Sequence, residues 1–236
     1  MMPPEIAAFA KGISVFALPV IFAVTLHEAA HGFVAYKLGD DTAWRMGRVT
    51  FNPIKHIDLF GTIILPLLLL LASFTAGGLF MFGYAKPVPV RFDRLNHPRR
   101  DMVWVALAGP ATNLALAILS ALLLYAVPFL PGLLQSWTLY NLKYSIEFNI
   151  LIGLFNMIPL PPLDGGRVAV GLLPDVLAIP LARTERYGML ILITLLFFLP
   201  LVGQQLHMNL NVITFLLEAP YTWLQHLVFA ITGLSA

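Results

Sequence analysis

The chain of 236 residues contains no cysteine. That absence excludes a disulfide framework, a thiolate metal site and a thiol nucleophile. Charge is also scarce. Asp, Glu, Lys and Arg make up 11% of the residues, against about 25% in an ordinary soluble domain. A water-soluble globule would have too few charges to cover its surface. The formal net charge is only +2, which argues against a nucleic-acid partner. What the chain has in excess is apolar surface, 59% of residues with a mean hydropathy of +0.84. Such a composition excludes disorder. It implies an integral, multi-pass membrane protein with the lipid bilayer as its first partner.

Charge-free runs organise the chain. Helical punctuation predicts spans near 13–37, 102–127, 139–159, 187–203 and 209–233, each near the roughly 20 residues that a crossing needs. The fold class expected is an all-α polytopic membrane protein with five to six transmembrane helices and a small membrane-associated β element. One domain covers 1–236, with a core over about 13–170 and C-terminal helices over about 187–233. The start lacks the pattern of a cleavable leader, so the first apolar run reads as a retained helix. Nine of the 14 basic residues lie between Lys37 and Arg100, in two groups separated by Leu59–Ala85. The positive-inside rule puts both groups in the cytoplasm. Leu59–Ala85 then either re-enters and returns, or crosses once and leaves one basic group outside.

Polar residues inside these apolar runs carry the chemistry. His27-Glu28-Ala29-Ala30-His31 is an H-E-x-x-H motif within the first helix. Histidines at i and i+4 share one helical face and can grip one tetrahedral metal, with zinc the chemical preference. Glu28 can still reach a water at that metal as a general base. The alternative is a set of polar residues stabilising helix packing. Ionisable groups at membrane depth cost roughly 2.5–3.5 kcal/mol each on insertion scales, so the cluster needs a compensating partner. Two histidines do not complete a catalytic site, which normally has three protein ligands. The second constellation is Asn156–Arg167, with three prolines and two glycines. Irregular backbone at membrane depth survives only where it is buried in protein or lines a wet cavity. Asp164 is its only acid and a natural third ligand. Its alternative role is helix capping before Gly165, with a salt bridge to Arg167.

Together these stretches resemble the site-2 protease family of intramembrane zinc metalloproteases. The resemblance covers most of residues 20–170. It rests on H-E-A-A-H at 27–31, A-G-P-A-T-N at 108–113 and F-N-M-I-P-L-P-P-L-D-G-G-R at 155–167. The stretches G-R-V-T-F-N-P-I-K-H-I-D at 47–58 and F-G-Y-A-K-P-V-P-V at 82–90 are similar to those of compact prokaryotic members without PDZ or CBS domains. The resemblance implies one Zn²⁺ per chain on His27, His31 and Asp164, and a water activated by Glu28. It implies that Asn156 hydrogen-bonds the scissile carbonyl or its oxyanion. The substrates implied are transmembrane proteins. The location implied is the prokaryotic cell (inner) membrane, with the active site toward the cytoplasmic side.

Two rival functions use the same residues. A metal transporter would pass the ion through these ligands, yet no second relay of acids crosses the membrane. A non-cleaving membrane regulator would have no need of Glu28. In Phe82–Val90, Pro87 and Pro89 remove two N–H groups from one edge of an extended segment. The other edge is then expected to be free to pair with an unwound substrate, or the segment is an ordinary interfacial loop. His56 reads either as a residue near the metal or as a loop histidine beside Asp58. Asn113 reads either as a helix-packing residue or as an active-site contact. Glu147 and Asn149 line a water path or sit at a helix contact.

Overall fold

The structure, a computed structural model, describes residues 4–65, 67–68 and 83–234. Every regular element among the described residues is helical, and no strand occurs among them. Helix α1 (Pro4–Lys37) carries the H-E-x-x-H motif in its last third. It stops at Gly39, whose φ of +110° suits glycine alone. A short helix α2 (Thr42–Arg45), a 3₁₀ turn (Pro53–His56) and a π-helical stretch (Leu59–Ile64) follow. Residues 83–91 are extended. Helix α3 (Pro98–Leu123) continues as a 3₁₀ stretch to Phe129, and α4 (Gly132–Asn156) returns. The proline-rich turn leads into α5 (Asp164–Leu172) and α6 (Asp175–Arg183). Helix α7 (Glu185–Ile193) runs through a π turn into α8 (Leu199–Leu206), and α9 (Val212–Thr232) closes the described chain.

Three of these helices are long and apolar enough to cross a bilayer: Ser14–Lys37, Pro98–Phe129 and Glu185–Leu206. Of the five to six expected spans, these three are shown by length and composition among the described residues. Helices also occupy the regions of the other two predicted spans, as α4 and α9. Polar residues lower their hydropathy, notably Lys143, Ser145, Glu147 and Asn149 in α4 and Glu218, Gln225 and His226 in α9. The expected β element is not shown either. The backbone of 83–91 is extended, but no ladder forms around it among the described residues.

Contacts join the two ends of Leu59–Ala85, whose residues 66 and 69–82 lie outside the described residues. The Tyr84 N–H donates to the Gly61 carbonyl at 3.0 Å, and the Thr62 hydroxyl donates to the Tyr84 carbonyl at 2.9 Å. A run whose two ends hydrogen-bond each other does not carry one basic group to the far side. The two basic groups indeed lie together, with Arg48 donating to the Lys86 carbonyl at 2.8 Å and Arg94 3.7 Å from Asp41.

The core is made of small residues and buried amides. Ala23, Ala117 and Ala121 are fully buried, and Ile146, Ile150 and Val228 pack around the latter two. Small side chains let helix backbones approach closely where lipid removes the hydrophobic drive for association. Helix α3 runs antiparallel to α1, since Val105 meets His31 while Asn113, further along α3, meets Ala23. Helix α4 runs antiparallel to α3 through Asn113–Asn149 and Ser120–Ser145. Large apolar side chains point outward, Phe129 and Phe215 among them.

Candidate metal centre

Three elements converge on one point. Helix α1 supplies His27 and His31, stacked edge to face with ring centroids 4.7 Å apart. The proline-rich turn returns the chain so that Asp164, in the first turn of α5, faces both rings. Its Oδ2 lies 3.1 Å from His27 Nε2 and 3.4 Å from His31 Nε2. The two Nε2 atoms are 3.0 Å apart. Glycine makes the convergence possible at two places. A methyl group at Gly109 of α3 would lie 2.5 Å from both imidazoles. One at Gly165 would collide with the Met157 carbonyl, and one at Gly166 with the Pro161 nitrogen. Without those collisions the turn folds down onto the start of α5.

The hydrogen bonds around the rings define what the centre can hold. His31 Nδ1 lies 2.7 Å from the Val105 carbonyl, which only accepts, so Nδ1 carries the proton. His27 Nδ1 lies 2.5 Å from Asn113 Oδ1. In the neutral rings both Nε2 atoms therefore present lone pairs, toward each other and toward a carboxylate. Asp164 Oδ2 is buried and has no hydrogen-bond donor. A single proton on one nitrogen serves only one of the three pairs, whereas a cation between them serves all three. The spacing fits. Tetrahedral zinc with bonds of about 2.0–2.1 Å sets its ligand atoms about 3.3 Å apart. Two imidazoles and a carboxylate are also a donor set that catalytic zinc takes.

The capping alternative for Asp164 fails. The residue before α5 is Leu163, and no side chain caps this helix. Arg167 pairs instead with Glu185 at 3.2 Å. His56 is buried and is not among the clustered ligand atoms; its Nε2 lies 3.0 Å from the Thr50 carbonyl. Asn156, the last residue of α4, is half-buried and donates one N–H to the Ile152 carbonyl at 2.9 Å. Its second amide hydrogen is not used in that bond.

Glu28 has a partner that the motif did not reveal. Its Oε2 accepts the Val88 N–H at 2.7 Å. The extended segment sits over α1 because Gly32, one turn after Glu28, is bare. A methyl group there would be 2.9 Å from Val49 and 3.0 Å from Val88. Along this segment the N–H groups of Tyr84, Lys86 and Val88 bond Gly61, His56 and Glu28 in turn. The edge expected to be free for a substrate strand is thus occupied by the protein's own acceptors, and the opposite edge carries Pro87 and Pro89. Pairing of a substrate through the first edge is overturned. Buried Arg48 also holds this segment by donating to the Lys86 carbonyl. The alternation of prolines was the available signal, since it turns the Val88 N–H to the edge opposite theirs.

Comparison with known proteins agrees with this geometry. The family model described as Peptidase family M50 matches residues 15–147 and 132–199. The chain belongs to peptidase family M50, the site-2 protease family. All five residues singled out, His27, Glu28, His31, Asn156 and Asp164, lie inside the M50 match. The chain is similar to "Putative zinc metalloprotease YwhC" of Bacillus subtilis, 39% identical over 203 residues, or 82% of this chain and 84% of that one. It is 30% identical over 188 residues to "Putative zinc metalloprotease Rip2" of Mycolicibacterium smegmatis, or 78% and 68%. It is 32% identical over 145 residues to "Putative zinc metalloprotease MJ0611" of Methanocaldococcus jannaschii, or 60% and 62%. No solved structure matches the M50 chain.

Proposed function

We propose that this M50 chain is an intramembrane zinc endopeptidase that hydrolyses peptide bonds within or near transmembrane segments of other proteins, in regulated intramembrane proteolysis. The observation that carries the reading is the convergence of His27 Nε2, His31 Nε2 and the orphaned Asp164 Oδ2. His27, His31 and Asp164 would hold one Zn²⁺ per chain. Bound zinc supplies a Lewis acid that acidifies a water and polarises a carbonyl oxygen.

The chain's own residues do the rest. Glu28 takes the proton of the attacking water and later delivers it to the leaving amine. The Val88 N–H on Oε2 orients that carboxylate and leaves Oε1 for the water. The unused N–H of Asn156 donates to the developing oxyanion. A substrate helix must unwind first, because its backbone carbonyls are otherwise held by its own N–H groups. The clustering of both basic groups at one end supports a cytoplasmic position for that end in a prokaryotic cell membrane.

The test is Glu28→Gln in detergent-purified protein, with zinc content and cleavage of a transmembrane model substrate measured together. The expected result is wild-type zinc with cleavage reduced at least about 100-fold, the lower end of what a general base contributes. Cleavage at the wild-type rate by the variant, or metal-free wild-type protein cleaving as well as the loaded form, overturns the reading.

A further inference from the structure

A chain of buried amides runs from the metal centre through α3 into α4. Asn113 and Asn149 are both essentially fully buried, at 0% and 1% exposure. The order of donors along this chain follows from one end. Asn149 Nδ2 lies 2.8 Å from the Ser145 backbone carbonyl, which only accepts. The amide of Asn149 therefore presents Oδ1 to its other neighbour, Asn113, whose Nδ2 donates to it at 2.9 Å. The same Nδ2 faces the Ala23 carbonyl at 3.4 Å, a second group that only accepts. Asn113 must then turn Oδ1 toward His27, 2.5 Å from Nδ1. A carbonyl oxygen there requires the Nδ1–H form of the ring, which leaves Nε2 bare and aimed at Asp164.

We infer that Asn113 and Asn149 are positioning residues for His27. Through them a backbone carbonyl of α4, held by helix geometry, selects the tautomer and ring orientation of the metal ligand. His31 needs no such chain, because the Val105 carbonyl accepts its Nδ1–H directly. The two ligands are thus held by different devices, one a main-chain acceptor and one a side-chain relay. Mere helix packing would not need the amides to alternate in this sense. An amide pair turned the other way would fill the same space and offer His27 Nδ1 a donor.

This inference rests on the metal reading above, and its test separates the two. Zinc affinity and the visible spectrum of the cobalt-substituted protein are measured for wild type, Asn113→Leu and Asn113→Asp. Leucine keeps the branched shape and removes the acceptor, whereas aspartic acid keeps an acceptor toward Nδ1 and, protonated, a donor toward Asn149. Loss of a partner behind a ligating histidine typically costs 10–100-fold in metal affinity. Asn113→Leu is expected to lose about that much and to shift the cobalt bands, with Asn113→Asp recovering most of both. Equal zinc affinity in wild type and Asn113→Leu overturns the relay and leaves the metal reading intact. Equal losses in Asn113→Leu and Asn113→Asp also overturn it, since they assign Asn113 to packing. A wild type that binds no zinc overturns both. Should Asn113→Leu not fold, nitrogen-15 NMR of ring-labelled wild-type protein with zinc decides alone. Protonated Nδ1 and metal-bound Nε2 on His27 support the relay, and the reverse pattern overturns it.

Discussion

Helix α1 and the α7–α8 rod are both apolar enough to span a bilayer, yet they are built to opposite ends. The α1 span has mean hydropathy 1.4, and 44% of its most apolar stretch is buried within the protein. The α7–α8 rod is more apolar, at 2.1, and only 11% of its most apolar stretch is buried. The helix with the weaker membrane signal is the one that the protein encloses. It needs enclosure because His27, Glu28 and His31 cannot face lipid: Asn113 and Val105 of α3 satisfy the two rings, and the Val88 N–H of the extended segment satisfies Glu28. The α7–α8 rod has few internal demands: Leu192 is buried, but Leu190 is 64% exposed and Phe198 62%. Hydropathy alone therefore ranks helices by their solvent and not by their work.

The contrast can be broken first at Gly109, where α3 lies against both metal-centre rings. Gly109→Ala places a methyl group against both imidazoles. It is expected to cost about 1–3 kcal/mol as overpacking and to remove most of the bound zinc. Thermal unfolding and metal analysis of the purified variant check this, and full zinc occupancy would contradict the crowding. A smaller effect is expected from Val88→Pro, which deletes the N–H on Glu28 and leaves the metal ligands alone. Zinc should stay while kcat falls by up to about 100-fold, the scale of a misplaced reacting group. An unchanged kcat would show that Glu28 needs no such support. The smallest effect belongs to the outward rod. Leu190→Ala should change stability by no more than about 0.5 kcal/mol and leave zinc and cleavage at wild-type levels. A large loss there would mean that the rod packs against something and does not simply face lipid.

Parts of the site were legible because their geometry is local. The i, i+4 spacing puts His27 and His31 on one face wherever the helix goes. The prolines and glycines of 156–167 announce an irregular, enclosed backbone regardless of its partners. The alternation of Pro87 and Pro89 assigns the edges of the extended segment correctly. Which edge is free depends on residues far along the chain, and the edge expected to be open is taken by Gly61, His56 and Glu28. His56 and Asn113 each have two readings in sequence. His56 turned to the Thr50 carbonyl and Asn113 to the ring of His27. A histidine and an asparagine in apolar surroundings both seek the nearest partner, and sequence does not name it. For the Val88 N–H the flanking prolines give the edge but not the partner, since the group is one that every residue but proline carries.

The amino-acid sequence by itself determined that this chain lives in a membrane, that α1 presents two imidazoles and a carboxylate at fixed helical offsets, and that Asp164 follows a backbone unable to continue a helix. Helical periodicity, proline chemistry and the cost of charge in hydrocarbon act over a few residues and need no fold. Only the tertiary structure decided that Asp164, about 130 residues beyond His31, meets both rings. It alone decided that Glu28 is held from above by Val88, and that a relay of amides selects the face of His27. Those outcomes depend on bare glycine surfaces bringing three separate segments within hydrogen-bonding distance, and that distance is a property of packing.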